Sequence, residues 1–128
     1  MSSSFDIVID SKYSAGLARF WAAVLRGYAV RPYDEAEIKR LALLGFTPDS
    51  DPSVAVDGPG PTMWFQRVEA LVAGHNRIHL DLRAKLRSDE VKRLTALGAT
   101  VRDVHDQYTV MLDPEGNRFC VFDGYSCA

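Results

Sequence analysis

The chain has 128 residues, 47% of them hydrophobic, with a formal charge of −2 and a pI near 5.9. That is enough apolar surface for one globular domain, and a near-neutral balance without a basic run gives no electrostatic basis for nucleic-acid binding. No apolar run reaches membrane-spanning length, and Met1–Phe5 lacks the positive and apolar regions of a signal peptide.

In chain order, Phe5–Ile9 predicts a short strand with Phe5, Ile7 and Ile9 on one face and Asp6 and Val8 on the other. Ser14 is placed to cap a helix through about Leu25, with Leu17, Phe20, Trp21, Val24 and Leu25 inward and Gly27 as its stop. Tyr28–Arg31 predicts a strand. Asp34 opens a charged helix from Glu35 to Leu44, ended by Gly45, whose Glu35, Glu37, Lys39 and Arg40 form a solvated face. Ser53–Val56 and the aromatic-rich Thr62–Val68 predict strands around the Asp57–Pro61 turn. A loop follows from Glu69 to Asn76, with His75 solvated in it.

Arg77–Arg83 alternates, with Arg77, His79, Asp81 and Arg83 on one face and Ile78, Leu80 and Leu82 on the other. A strand face carrying a His, an Asp and two Arg residues suggests a cup lined with functional groups. Ser88 is placed to cap a helix with Val91, Leu94 and Leu97 inward, stopped by Gly98. Ala99–Arg102, Gln107–Leu112 and Arg118–Phe122 predict the last strands, with His105 in a solvated loop. Asp113–Pro–Glu–Gly–Asn117 is turn chemistry between two apolar runs, so the last two strands form a β-hairpin. Cys120 lies on its second strand, facing away from Phe119 and Val121. The other cysteine, Cys127, falls in the tail; a disulfide is not expected, and a reducing, cytoplasmic compartment fits.

The chain contains an internal repeat. Ile7–Asp10, a helix and Gly27–Val30 align without a gap on Ile78–Asp81, a helix and Gly98–Val101. Each half reads as strand, helix and three strands. The expected architecture is α+β: two βαβββ modules in a single domain over 1–128, the halves spanning about 1–68 and 77–128, with polar inner faces forming a cup.

The order βαβββ–βαβββ, the Leu17–Gly27 helix motif, Asn76–Asp81, Leu97–Val101 and the Asp113–Asn117 hairpin together resemble the vicinal oxygen chelate superfamily. The nearest likeness is to its bacterial glyoxalase-like domain group, in the glyoxalase/bleomycin-resistance/extradiol-dioxygenase fold. The resemblance covers nearly the whole chain, apart from Asp34–Asp51, which reads as an insertion. Active members hold a divalent metal with one residue from each of four strands, and those positions fall on Asp6, Gln66, His79 and Cys120. Val8 competes with Asp6 for the first position, because the gapless repeat places Val8 opposite His79.

Of this set only His79 matches the family's usual ligand chemistry. Asp, Gln, His and Cys together mix hard and soft donors that no single metal favours, so either no metal or one divalent ion is expected, and the metal-free state is preferred. His79 and Asp81 lie about 7 Å apart along one strand face. His79 and Cys120 are the candidate catalytic residues, Cys120 requiring a lowered pKa that His79 can supply; otherwise it is a small buried hydrophobe. Asp6, Trp64, Gln66, Arg77 and Asp81 are the candidate ligand-binding residues, with Trp64 placed to stack on a flat molecule.

Two readings follow. One is a small-molecule-binding glyoxalase-like protein acting as a lyase or isomerase with a degenerate metal site. The other is a metal-free binding or sequestration protein similar to bleomycin-resistance proteins. Open sheet edges, with the resemblance, imply a homodimer; no nucleic-acid or membrane partner is expected.

Overall fold

A computed structural model describes residues 4–71 and 77–124. His75, Asn76 and Cys127 lie outside the described residues. Among the described residues eight strands and three helices follow in the order β1 (Ser4–Ser11), α1 (Ser14–Val24), β2 (Ala29–Val30), α2 (Glu35–Leu43), β3 (Ser53–Asp57), β4 (Met63–Arg67), β5 (Ile78–Ala84), α3 (Arg87–Ala96), β6 (Thr100–Val104), β7 (Tyr108–Leu112) and β8 (Arg118–Asp123). The chain divides into two compact units, Val8–Arg77 and Met1–Ile7 with Ile78–Ala128. No helix among the described residues is long and apolar enough to cross a membrane.

In the Val8–Arg77 unit, β4 lies between β3 and the second half of β1, and β2 pairs with β3 at the edge. Alternation sorts the side chains. Val54, Val56 and Phe65 turn toward α1, where Ala15 and Ala18 let the helix approach closely and Ile9, Leu17, Trp21 and Met63 close the cluster. Trp64 and Gln66 turn to the other face, as the period of two requires. The Asp34 carboxylate caps α2 by accepting from the Glu37 amide at 2.8 Å, and Leu41 seats the helix at 1% exposure.

Helix α1 departs from expectation at its start and in its inward face. Tyr13, not Ser14, is the N-cap and offers no side-chain bond; Ser14 is the first helical residue, its hydroxyl donating to the Pro52 carbonyl. The Tyr13 ring lies over Gly16, where a Cβ would stand 2.5 Å from it. The small residues form the inward stripe, leaving Phe20 and Val24 about half exposed.

In the other unit β5 pairs in parallel with β8, β8 with β7 and β7 with β6, the last two pairs antiparallel. In each half the first strand neighbours the last, then the third, then the second. That common order is the βαβββ module, written twice. Helix α3 starts at Arg87 behind Leu86, without a side-chain cap from Ser88. Val91 and Leu94 pack on Leu82, Ala84, Met111, Phe119 and Val121, whereas Leu97 stays largely exposed. Because α3 covers only the Leu82–Ala84 end of β5, Ile78 and Leu80 remain 56% and 40% exposed while His79 on the opposite face is 8% exposed. The apolar face of this strand is therefore not the more buried one.

The β7–β8 hairpin closes as its sequence requires. Asp113 Oδ1 accepts from the Glu115 and Asn117 amides, and Gly116 takes φ +89.

The Val8–Arg77 core should respond to truncation at its centre. Phe65 is fully buried, so Phe65→Ala should lower unfolding free energy by about 3–5 kcal/mol in urea denaturation followed by Trp21 fluorescence. A loss under about 1 kcal/mol would contradict this packing.

Candidate functional site

The parallel ladder of β5 on β8 places Asp81 opposite Cys120 and Arg83 opposite Phe122. Two residues back along each strand, the same register sets His79 opposite Arg118. All of these alternate away from α3, so one polar face carries His79, Asp81, Arg83, Arg118 and Cys120. The His79, Asp81 and Cys120 ligand atoms lie within 4.8 Å of one another.

Arg118 Nη2 stands 3.2 Å from His79 Nδ1. A guanidinium only donates, so Nδ1 accepts, and this partner assigns the ring proton to Nε2. Nε2 in turn lies 3.2 Å from Asp81 Oδ1, a buried oxygen that has the contact distance but not the alignment of a hydrogen bond. Burial, then the charge of Asp81, pushes the Cys120 thiol up to about 11, with Arg118 pulling weakly the other way. His79 therefore does not prepare Cys120 as a thiolate; the sulfur is a protonated, buried group beside Val110.

Whether these residues suit a divalent ion is a question of spacing and of chemistry. Zinc bonds of about 2.0–2.3 Å set neighbouring ligand atoms about 3.3–3.8 Å apart. The Nε2–Oδ1 separation nearly meets that, and the unaligned Asp81 oxygen is a carboxylate lone pair waiting for a positive partner. The donor chemistry is against it. Nε2 carries the proton, the sulfur is a thiol, and a fixed positive charge touches the imidazole. A ligating histidine ordinarily donates its second N–H to a carbonyl or carboxylate; here that nitrogen faces a donor. The residues present do not fit a bound metal.

The other positions expected to complete the ligand set lie elsewhere in the chemistry. Asp6, 9% exposed, is ion-paired with Arg83. Val8 is a buried apolar residue of the Val8–Arg77 unit, and Gln66 is exposed on β4 of that unit. Arg77 precedes β5 rather than sharing its face; its carbonyl accepts from the Asp10 amide.

The Val8–Arg77 unit holds a cavity of about 250 Å³ on the face opposite α1, lined by residues that include Arg31, Tyr33, Asp34, Glu37, Asp51 and Trp64. The Arg31 guanidinium lies 5.0 Å from the Trp64 ring centre and binds Asp57 through both oxygens at 2.7 and 2.8 Å, holding that carboxyl below its usual range. Asp51, 5% exposed, accepts from the Tyr33 hydroxyl at 2.7 Å and the Ser53 amide at 2.9 Å. Burial and this carboxylate push the Tyr33 hydroxyl well above the usual phenol range. Sequence reading singled out Trp64 and missed the rest of these walls. The available signal was the apolar Ile38–Leu41 spacing, which means α2 sits on something.

Cys120 should be inert at neutral pH. In a Cys127→Ser background, iodoacetamide labelling of the native protein should stay slow through pH 9 and accelerate only as pH approaches about 11. A fast neutral-pH phase that vanishes in Cys120→Ser would contradict the protonated thiol.

The model of the family described as "Glyoxalase-like domain" matches residues 6–122. No curated protein sequence matches the chain. Among solved structures, one described as an NAD-dependent benzaldehyde dehydrogenase from Legionella pneumophila is similar at TM-score 0.59 and 14% identity, over 94% of this chain and 99% of that one. A glyoxalase/bleomycin resistance protein/dioxygenase superfamily member from Vibrio splendidus 12B01 aligns at TM-score 0.53 and 10% identity, over 96% and 100%. A halotolerant catechol dioxygenase, BphC, aligns at TM-score 0.50 and 15% identity, over 97% of this chain and 40% of its own. At these identities the likeness is one of fold. With the family model spanning nearly the whole sequence, the chain belongs to the glyoxalase-like domain family of the vicinal oxygen chelate superfamily.

Proposed function

We propose that this protein binds a small, flat, positively charged organic molecule without the help of a metal, in the manner of a sequestration protein. The observation that carries this reading is the cavity beneath α2. Its volume of about 250 Å³ lies just below the range of ordinary ligand pockets, about 300–1,000 Å³, and suits one ring system with a short substituent. Trp64 and Tyr33 supply aromatic walls. The charge balance favours a cation: Arg31 is bound by Asp57 and Arg40 by Glu37, while Asp51 takes its hydrogen bonds from neutral donors, with Arg40 only a weaker charge nearby, and Asp34 from a backbone amide. A ligand ammonium or amidinium would meet carboxylates there, and its ring would meet an indole.

The chemistry of the β5–β8 face agrees. Asp6 is matched by Arg83 and His79 by Arg118, and the one thiol is protonated. A lyase or isomerase needs a group poised to move a proton or polarise an oxygen pair, and Asp6, Arg83 and His79 already hold partners while Cys120 keeps its proton.

Titration with a planar cationic dye such as proflavine, read by quenching of Trp64 in a Trp21→Phe background, tests the reading. Binding should be unchanged by chelator. It should weaken at least about tenfold, roughly 1.4 kcal/mol, in Asp51→Asn. A parallel calorimetric titration of Trp64→Ala should show a similar loss, and a planar anion of similar size should bind less tightly. Binding or turnover that appears only with added zinc, nickel or iron, and disappears in His79→Ala, would replace this reading with the metal-dependent one.

A further inference from the structure

We infer that Arg118 is an internal lock on a latent metal site: by donating to His79 Nδ1 it holds the imidazole beside Asp81 and Cys120 in a form that refuses a divalent ion. The inference rests on the metal-independent reading above and assigns its cause to one side chain.

The geometry of a three-donor site is otherwise present. Nε2 and Asp81 Oδ1 are already a ligand edge apart at 3.2 Å, and all three ligand atoms lie within 4.8 Å. His79 and Asp81 alternate on β5, and Cys120 faces Asp81 from β8, so the backbone holds these positions without help from Arg118. An imidazole, a carboxylate and a thiolate are a set that zinc and cobalt accept, with water completing the tetrahedron.

Arg118 opposes that outcome in two separable ways. Its permanent charge lies against the imidazole and repels an incoming cation. Its N–H also occupies Nδ1, so freeing Nε2 for a metal would drive the ring proton onto Nδ1, where two donors would face each other. A glutamine at this position reverses both effects. It is neutral, and its amide oxygen can accept Nδ1–H, the arrangement that orients metal-bound histidines. A methionine removes the charge without supplying the acceptor.

The test is a cobalt(II) titration of the full chain in a Cys127→Ser background, read by the near-ultraviolet thiolate-to-cobalt band. The Cys127→Ser parent should show no stoichiometric band. Arg118→Gln should develop one, with cobalt bound at least about tenfold tighter, the scale on which a contact to a ligand tunes metal affinity. The band should vanish in Arg118→Gln/Cys120→Ser, and Arg118→Met should fall between parent and Arg118→Gln. Independently of any variant's folding, nitrogen-15 NMR of wild-type His79 should show the Nε2–H tautomer.

Folded Arg118→Gln and Arg118→Met proteins that bind cobalt no better than their parent would overturn the lock while leaving the metal-independent reading standing. So would an Nδ1–H tautomer in the wild type. A stoichiometric cobalt band in the parent, lost in His79→Ala, would overturn both.

Discussion

The parallel pairing of β5 with β8 is the constraint on which the chemistry of this protein turns. Parallel strands keep a fixed register, and here that register sets Asp81 against Cys120 and, one alternation earlier, His79 against Arg118. Buried polar groups must be matched by partners nearby. Once the backbone has brought a histidine, a carboxylate, a thiol and a guanidinium onto one poorly hydrated face, their protonation follows from who faces whom. The guanidinium cannot give up its proton, so the ring nitrogen facing it is the acceptor.

The two units use polar groups differently. Around β5 and β8, Asp6 is paired with Arg83 and His79 contacts Arg118, while one buried Asp81 oxygen stays unaligned. Such pairs lose solvation when buried, and their mutual contacts recover much of it without leaving strong residual attraction for a newcomer. In the Val8–Arg77 unit, Asp51 is buried but its bonds come from a hydroxyl and an amide, neutral donors that leave its charge in place.

Much of the scaffold was legible because it rests on local rules. Alternation placed Trp64 and Gln66 away from Phe65, and Asp113 with Gly116 closed the final hairpin through bonds within the turn. The gapless match of the two strand–helix units anticipated that each half repeats strand, helix and three strands. The helix starts were misread where hydroxyl residues stood inside the first turn and Tyr13 and Leu86 preceded it. Arg118 was invisible as a site residue for a physical reason. It opens a strand beside a turn, where arginines are ordinarily solvated, and its meaning depends on a strand 39 residues away. The cavity was overlooked because a charged helix reads as a solvated face, and only the burial of Leu41 shows that α2 is seated.

The walls of that cavity come largely from the stretch between β2 and β3, residues 31–52, where the second module connects β6 to β7 with residues 105–107 alone. Inserted segments of this kind carry few ladder bonds of their own, so their length and sequence can vary at little cost to the sheet. The walls of the cavity can thus be changed, or exchanged by grafting, with little effect on the strands beneath them. A different α2 on the same β3–β4 floor would keep Trp64 as an aromatic base and change which functional groups stand above it. The sheet and the cavity walls are supplied by separate stretches of the chain.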